Sequence, residues 1–147
     1  MAKILNYTTT VSAEKTAQQI QRLLAESGAQ ATMIEYDQAG EPAAISFRID
    51  YLGQVMSFRP PVDVDAVYRV LAKGRRVRQS SEKNLREQAA RTAWRIIKDL
   101  IEAQLAVRAS GQADLIQLYL QYWQNDNGQT LYQKLKDRGF KLLEAPQ

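Results

Sequence analysis

A chain of 147 residues with 20 Lys and Arg against 16 Asp and Glu, no Cys and no His has room for one compact domain and too little for two independent ones. Without cysteine there is no disulfide framework, thiolate nucleophile or sulfur-ligated metal, and without histidine there is no Ser-His-Asp or Cys-His system and no imidazole metal site. No apolar run approaches the roughly 20 residues that cross a bilayer, and Met1 to Asn6 is too poor in hydrophobics for a signal peptide, so a soluble, non-exported protein of a reducing cytosol is expected.

Tyr7-Thr8-Thr9-Thr10-Val11 is β-branched and aromatic and predicts a strand. Ser12 is a good N-cap for a helix that carries Ala13, Ala17, Ile20 and Leu24 on one stripe and ends at Gly28. Three strands follow, Ala31 to Tyr36, Ala43 to Tyr51 and Val55 to Arg59, with turns at Asp37-Gln38-Ala39-Gly40 and Leu52-Gly53. A hairpin centred on Leu52 and Gly53 sets Phe47 opposite Phe58 and Ile49 opposite Met56, so four large apolar side chains share one face. The same register leaves Arg48 and Arg59 on a diagonal of the other face, beside Ser46 and Ser57.

Pro60-Pro61 ends the sheet, Asp63 caps a helix running to about Lys73 with Val67, Val70 and Leu71 inward, and Gly74 closes it. Ser80 or Ser81 is expected to cap the longest helix, about Glu82 to Ala109, with Leu85, Ala89, Ala93, Ile96, Ile97, Leu100 and Leu105 on its apolar stripe. An aromatic helical stretch, about Ala113 to Trp123, places Leu115, Leu118 and Tyr122 in the core. Thr130 opens a last short helix ending before Gly139, and Phe140, Leu142 and Leu143 in the tail are expected to dock on the core. The order of elements predicts an α+β fold: a small antiparallel sheet layer with one packed helix over residues 1–62 (β-α-β-β-β). A helical subdomain with one long helix, 63–147, packs onto it as one unit.

The charge is uneven. From Arg69 to Lys98 ten basic residues stand against two acidic ones, +8, which leaves −4 on the rest of a chain whose total is +4. Such asymmetry suits a meeting with an anion, although a solvated basic face serves solubility equally well. Arg91, Arg95 and Lys98 follow one edge of the long helix beside Trp94; that indole either stacks on a ligand or, lying close to the apolar stripe, is buried.

Catalysis is not expected. Asp99 and Glu102 resemble part of a metal-dependent nuclease pattern, but Gln104 stands where a lysine is needed, and carboxylates at this helical spacing suit pairing with Arg95 or Lys98. Asp63 and Asp65 read as capping residues and not as metal ligands. No Gly-rich phosphate loop is present.

Several blocks resemble a family of small uncharacterised proteins of bacteriophages and prophages: Asn6-Tyr7-Thr8-Thr9 through Gly28-Ala29, Ser46-Phe47-Arg48, Phe58-Arg59-Pro60-Pro61-Val62, Ala93-Trp94-Arg95-Ile96-Ile97-Lys98-Asp99, Ile101 to Ala106, and Thr130-Leu131-Tyr132. The resemblance implies a viral or prophage protein of the size of anti-defence, recombination-accessory or regulatory factors, and supplies no catalytic residues.

Arginines that fork onto phosphate and rings that cover bases suffice to sequester a nucleotide signal without a cofactor or a metal. The first expectation is therefore a non-catalytic, homo-oligomeric protein that binds a phosphate-bearing nucleotide through Arg48, Arg59, Arg91, Arg95, Lys98 and Trp94. Arg48 and Arg59 have solvent exposure or pairing with Glu35 and Asp50 as their alternative. The alternatives for the whole protein are a nucleic-acid-binding accessory role and inhibition of a host protein through a surface patch.

Overall fold

The computed structural model describes residues 4–76 and 78–141. The chain forms α1 (Ala13–Glu26), β1 (Ala31–Tyr36), β2 (Pro42–Tyr51), β3 (Gln54–Phe58), α2 (Val64–Ala72), α3 (Gln79–Ala109), α4 (Leu115–Tyr119) with a 3₁₀ turn, Leu120–Tyr122, and α5 (Leu131–Asp137). The class is α+β. The strands form one antiparallel sheet in the order β1-β2-β3. The expected hairpin register is the observed one, with Phe47 opposite Phe58, Arg48 opposite Ser57 and Ile49 opposite Met56.

The expected first strand does not form: Leu5 to Thr8 is a turn instead. Asn6 adopts φ 62°, a left-handed conformation that Asn tolerates better than most residues. Its carbonyl accepts from the Thr9 amide and from the Thr92 hydroxyl. The carbonyls of Tyr7 and Thr9 accept from the Gln88 side-chain amide, so α3 supplies backbone partners that a neighbouring strand would otherwise provide. The order of the first layer is therefore α-β-β-β.

Ser12 and Asp63 cap α1 and α2 as expected, their side-chain oxygens accepting from the Lys15 and Ala66 amides. The start of α3 differs. Arg78 is its N-cap and makes no side-chain cap bond, while the Ser81 hydroxyl donates to the Arg78 carbonyl where a capping serine would accept from an amide. Thr130 opens α5 with a reciprocal capping box to Gln133.

One buried cluster runs through both halves of the chain, from Ile20 and Leu24 of α1, through Ile45, Phe47 and Phe58 of the sheet, to Trp94, Ile97 and Ile101 of α3 and Tyr119 of α4. Phe47 stacks on Phe58 at 5.4 Å between centroids, and Tyr119 meets Phe47 edge-on at the same distance. The buried stripe of α3 overlaps the expected one in part. Ala89, Ala93 and Ile97 are buried and Leu105 packs on the core as expected, but burial extends to Ala90, Trp94 and Ile101 while Leu100 is exposed, because α3 is covered by α1, by α2 and by the sheet core at once. Val70 of α2 and Phe140 likewise stay exposed, the latter beside Tyr132. Leu142 and Leu143 lie outside the described residues.

The segment after the 3₁₀ turn returns to the sheet. The Arg59 amide donates to the Tyr122 carbonyl and the Gln124 amide to the Ser57 carbonyl, so Trp123 and Gln124 run along the free edge of β3.

Candidate functional site

The six residues expected to hold a ligand fall into three places. Trp94 is fully buried, and its indole N–H donates to the Pro42 carbonyl at 2.9 Å. It holds α3 to the sheet and offers no ring to a ligand, which corrects the stacking role. Arg48 and Arg59 lie on the open sheet face, as the register requires. Arg59 bonds Glu35 at 2.8 Å. Glu35 stands opposite Ala44 and Arg59 follows the last residue of β3, so this pair crosses β2 above Ala44 and Ser46, two small residues that are buried. Asp50 is absorbed by the hairpin turn, where it accepts from the Gly53 amide, and Arg48 makes no ion pair among the described residues.

Arg91, Arg95 and Lys98 belong to α3, which packs on the other side of the sheet. The two sets of cations are separated by the core and do not converge on one ligand. Arg95 donates to Gln19 of α1 at 2.7 Å, and Lys98 pairs with Glu102 at 2.6 Å. Arg91 donates to the Gln88 side-chain oxygen at 2.6 Å and has no carboxylate partner among the described residues.

Two concavities flank the N-terminal half of α3. The larger, about 810 Å³, lies between the β1–β2 turn, the start of α2 and α3, and is lined by Asp37, Glu41, Asp63, Asp65, Glu82 and Glu87 against Lys83 and Arg86. Arg86 is engaged by Asp65 and Glu82 and lies over the Tyr68 ring at 4.2 Å. An excess of carboxylates repels phosphate, so this groove does not suit an anionic ligand. Among the described residues no group of three or more acidic side chains is placed to hold a metal ion.

The corner where α2 meets α3 has the opposite character. Arg69, Lys73, Arg75, Arg76, Arg78 and Lys83 are all exposed. None of the six makes a side-chain hydrogen bond or ion pair with another described residue. The only acid within this stretch, Glu82, is turned to Arg86. The cause is local: Lys73 leaves the helix with φ −60° and ψ 128°, Gly74 adopts φ 74°, and the chain reverses over a few residues before α3 begins. The charges thus fall on the end of α2, the connector and the start of α3, with Arg75 and Arg76 brought together on one cleft. Compared with protein-family models, curated proteins and solved structures, the chain matches none, so the reading of this surface rests on its own chemistry.

The sequence placed this corner inside its basic window but assigned the ligand to the sheet and the middle of α3. What distinguishes the corner is the absence of acidic partners, and that depends on which carboxylates the fold brings near. Among the described residues, no helix is long and apolar enough to cross a membrane.

Proposed function

We propose that this protein is a non-catalytic nucleic-acid-binding protein that engages the phosphate backbone through the α2–α3 corner. One observation carries the reading: six exposed cations, from Arg69 to Lys83, make no ion pair among the described residues, and Arg75 and Arg76 line a cleft that no carboxylate borders. A run of exposed, unpaired charges suits an extended polyanion, which gains by releasing its condensed counterions at each neutralised phosphate. Sequestration of a small nucleotide requires arginines that converge on an enclosed site. Here Arg48 and Arg59 stand apart from Arg91 and Arg95, and the roomiest groove is acidic. The phage context implied by the sequence resemblance fits a recombination-accessory or regulatory role on nucleic acid.

Fluorescence anisotropy of a labelled duplex of about 20 base pairs, titrated from low to physiological salt, tests the proposal. The wild-type protein binds with a steep salt dependence. The Arg75→Ala/Arg76→Ala/Arg78→Ala variant binds more weakly, and its slope of log K against log salt is shallower by about 2 to 3, as three lost phosphate contacts require. Absence of duplex binding at low salt, or an unchanged slope in the triple variant, overturns the reading. A rise in thermal midpoint with a cyclic dinucleotide and none with DNA restores sequestration in its place.

A further inference from the structure

Between the connector and the first turns of α3 lies a cleft of about 340 Å³, lined by Arg75, Arg76, Ser81, Asn84, Leu85 and Gln88. No carboxylate borders it, in contrast to the larger groove. The side chains of Arg75, Arg76 and Asn84 make no hydrogen bond among the described residues, so their N–H groups are uncommitted. At the inner end, the Gln88 amide nitrogen is held by the Tyr7 and Thr9 carbonyls, both at 3.0 Å, and its oxygen accepts from Arg91. Arg91 is half-buried, and its Nε is shut off from solvent without a hydrogen-bond partner. A third guanidinium, un-neutralised by any carboxylate among the described residues, therefore stands one helical turn behind the cleft wall. A partly desolvated cation of this kind attracts an anion more strongly than the exposed arginines do, because water screens it less.

No aromatic ring lines the cleft. The Tyr68 ring is covered by the Arg86 guanidinium and Trp94 is buried. Leu85 is the one apolar side chain in the lining, and the donors that line the cleft match phosphate oxygens.

We propose that this cleft seats one phosphodiester group of the bound nucleic acid, contacting phosphate and sugar and leaving the bases unread. The proposal rests on the nucleic-acid reading above and adds to it a fixed anchoring position within a belt of otherwise diffuse charge. Arg75 and Arg76 donate to the non-bridging oxygens and Asn84 supplies a neutral donor, with Leu85 against the sugar.

The test compares two single-charge variants of the full chain, Asn84→Asp and Gln79→Glu, on the same labelled duplex. Each adds one negative charge within the first two turns of α3, but Asn84 lines the cleft and Gln79 lines the acidic groove. Asn84→Asp lowers affinity about tenfold or more and Gln79→Glu less than about threefold, and wild-type protein binds duplexes of unrelated sequence within about twofold of each other. Equal losses from the two substitutions overturn the anchoring cleft while leaving the nucleic-acid reading in place. A strong preference between unrelated duplexes overturns the base-blind part. Failure of the wild-type protein to bind any duplex overturns both. Melting curves that match wild type confirm that the two variants are folded.

Discussion

Leu52 sits at φ 53° in the two-residue turn of the β2–β3 hairpin, next to Gly53 at φ 88°, and is 91% exposed. Two consecutive left-handed residues are what a tight hairpin needs, and Asn-Gly meets that need at lower cost than Leu-Gly. Leu52→Asn is therefore expected to raise stability by about 1 kcal/mol, read as a higher urea midpoint with an unchanged slope. Tyr119 stores a different tension. It is fully buried with its hydroxyl unpartnered, and burial, reinforced by Tyr122, holds its phenol well above the ordinary tyrosine range. A phenol whose folded pKa exceeds its unfolded one contributes stability that is complete below pH about 10 and is lost above it, at up to about 1.4 kcal/mol per pH unit. Tyr119→Phe removes that alkaline loss and, by deleting an unsatisfied buried group, leaves neutral-pH stability equal or higher by about 1 kcal/mol. Urea denaturation of both proteins at pH 7 and near pH 11 checks both statements; a large loss at pH 7 in the variant shows that the hydroxyl is bonded.

At the scale of elements, the N-terminal segment and α3 define one another. Asn6 reaches Asp99 at 2.8 Å and Thr92 donates to the Asn6 carbonyl, so a stripe of α3 that reads as solvent-facing in the sequence is covered by the chain's own beginning. Asn6→Ala is expected to speed amide exchange over residues 6–11 with little change in the melting temperature, since few apolar contacts are involved. Asn6→Gly keeps the left-handed conformation but loses the bond to Asp99, and separates the two contributions. The same covering explains what the sequence concealed. Helix caps at Ser12, Asp63 and Thr130 and the Phe47–Phe58 register are local chemistry or period-two arithmetic, and both were legible. The Thr8-Thr9-Thr10 run has β propensity, yet Gln88, far away in sequence, donates to the Tyr7 and Thr9 carbonyls. Trp94 lies between stripe and edge by periodicity, and only the Pro42 carbonyl across the core fixes its burial.

Over the whole molecule, the candidate site was half legible. Arg75, Arg76 and Arg78 fell inside the basic window, but their freedom from acids depends on Asp65 and Glu82 being drawn to Arg86 on the other side of α3. That sorting leaves one flank of α3 acidic and the neighbouring corner basic, a polarity that the net charge of +4 conceals. A polyanion approaching from the acidic flank is repelled and one approaching from the corner is drawn in, so this polarity would orient any polyanion that meets the molecule.

The return of Trp123 and Gln124 to the edge of β3 sets the order of events during synthesis. Ser57 and Gln124 are 67 positions apart, and Tyr119 completes the ring cluster begun by Phe47 and Phe58. A nascent chain that has emitted only the hairpin therefore has α1 but neither α3 nor Tyr119 to cover its apolar face, and the edge of β3 is unpaired. Closure waits for α4 and the turn after it to leave the ribosome, which makes the native state a late product of translation.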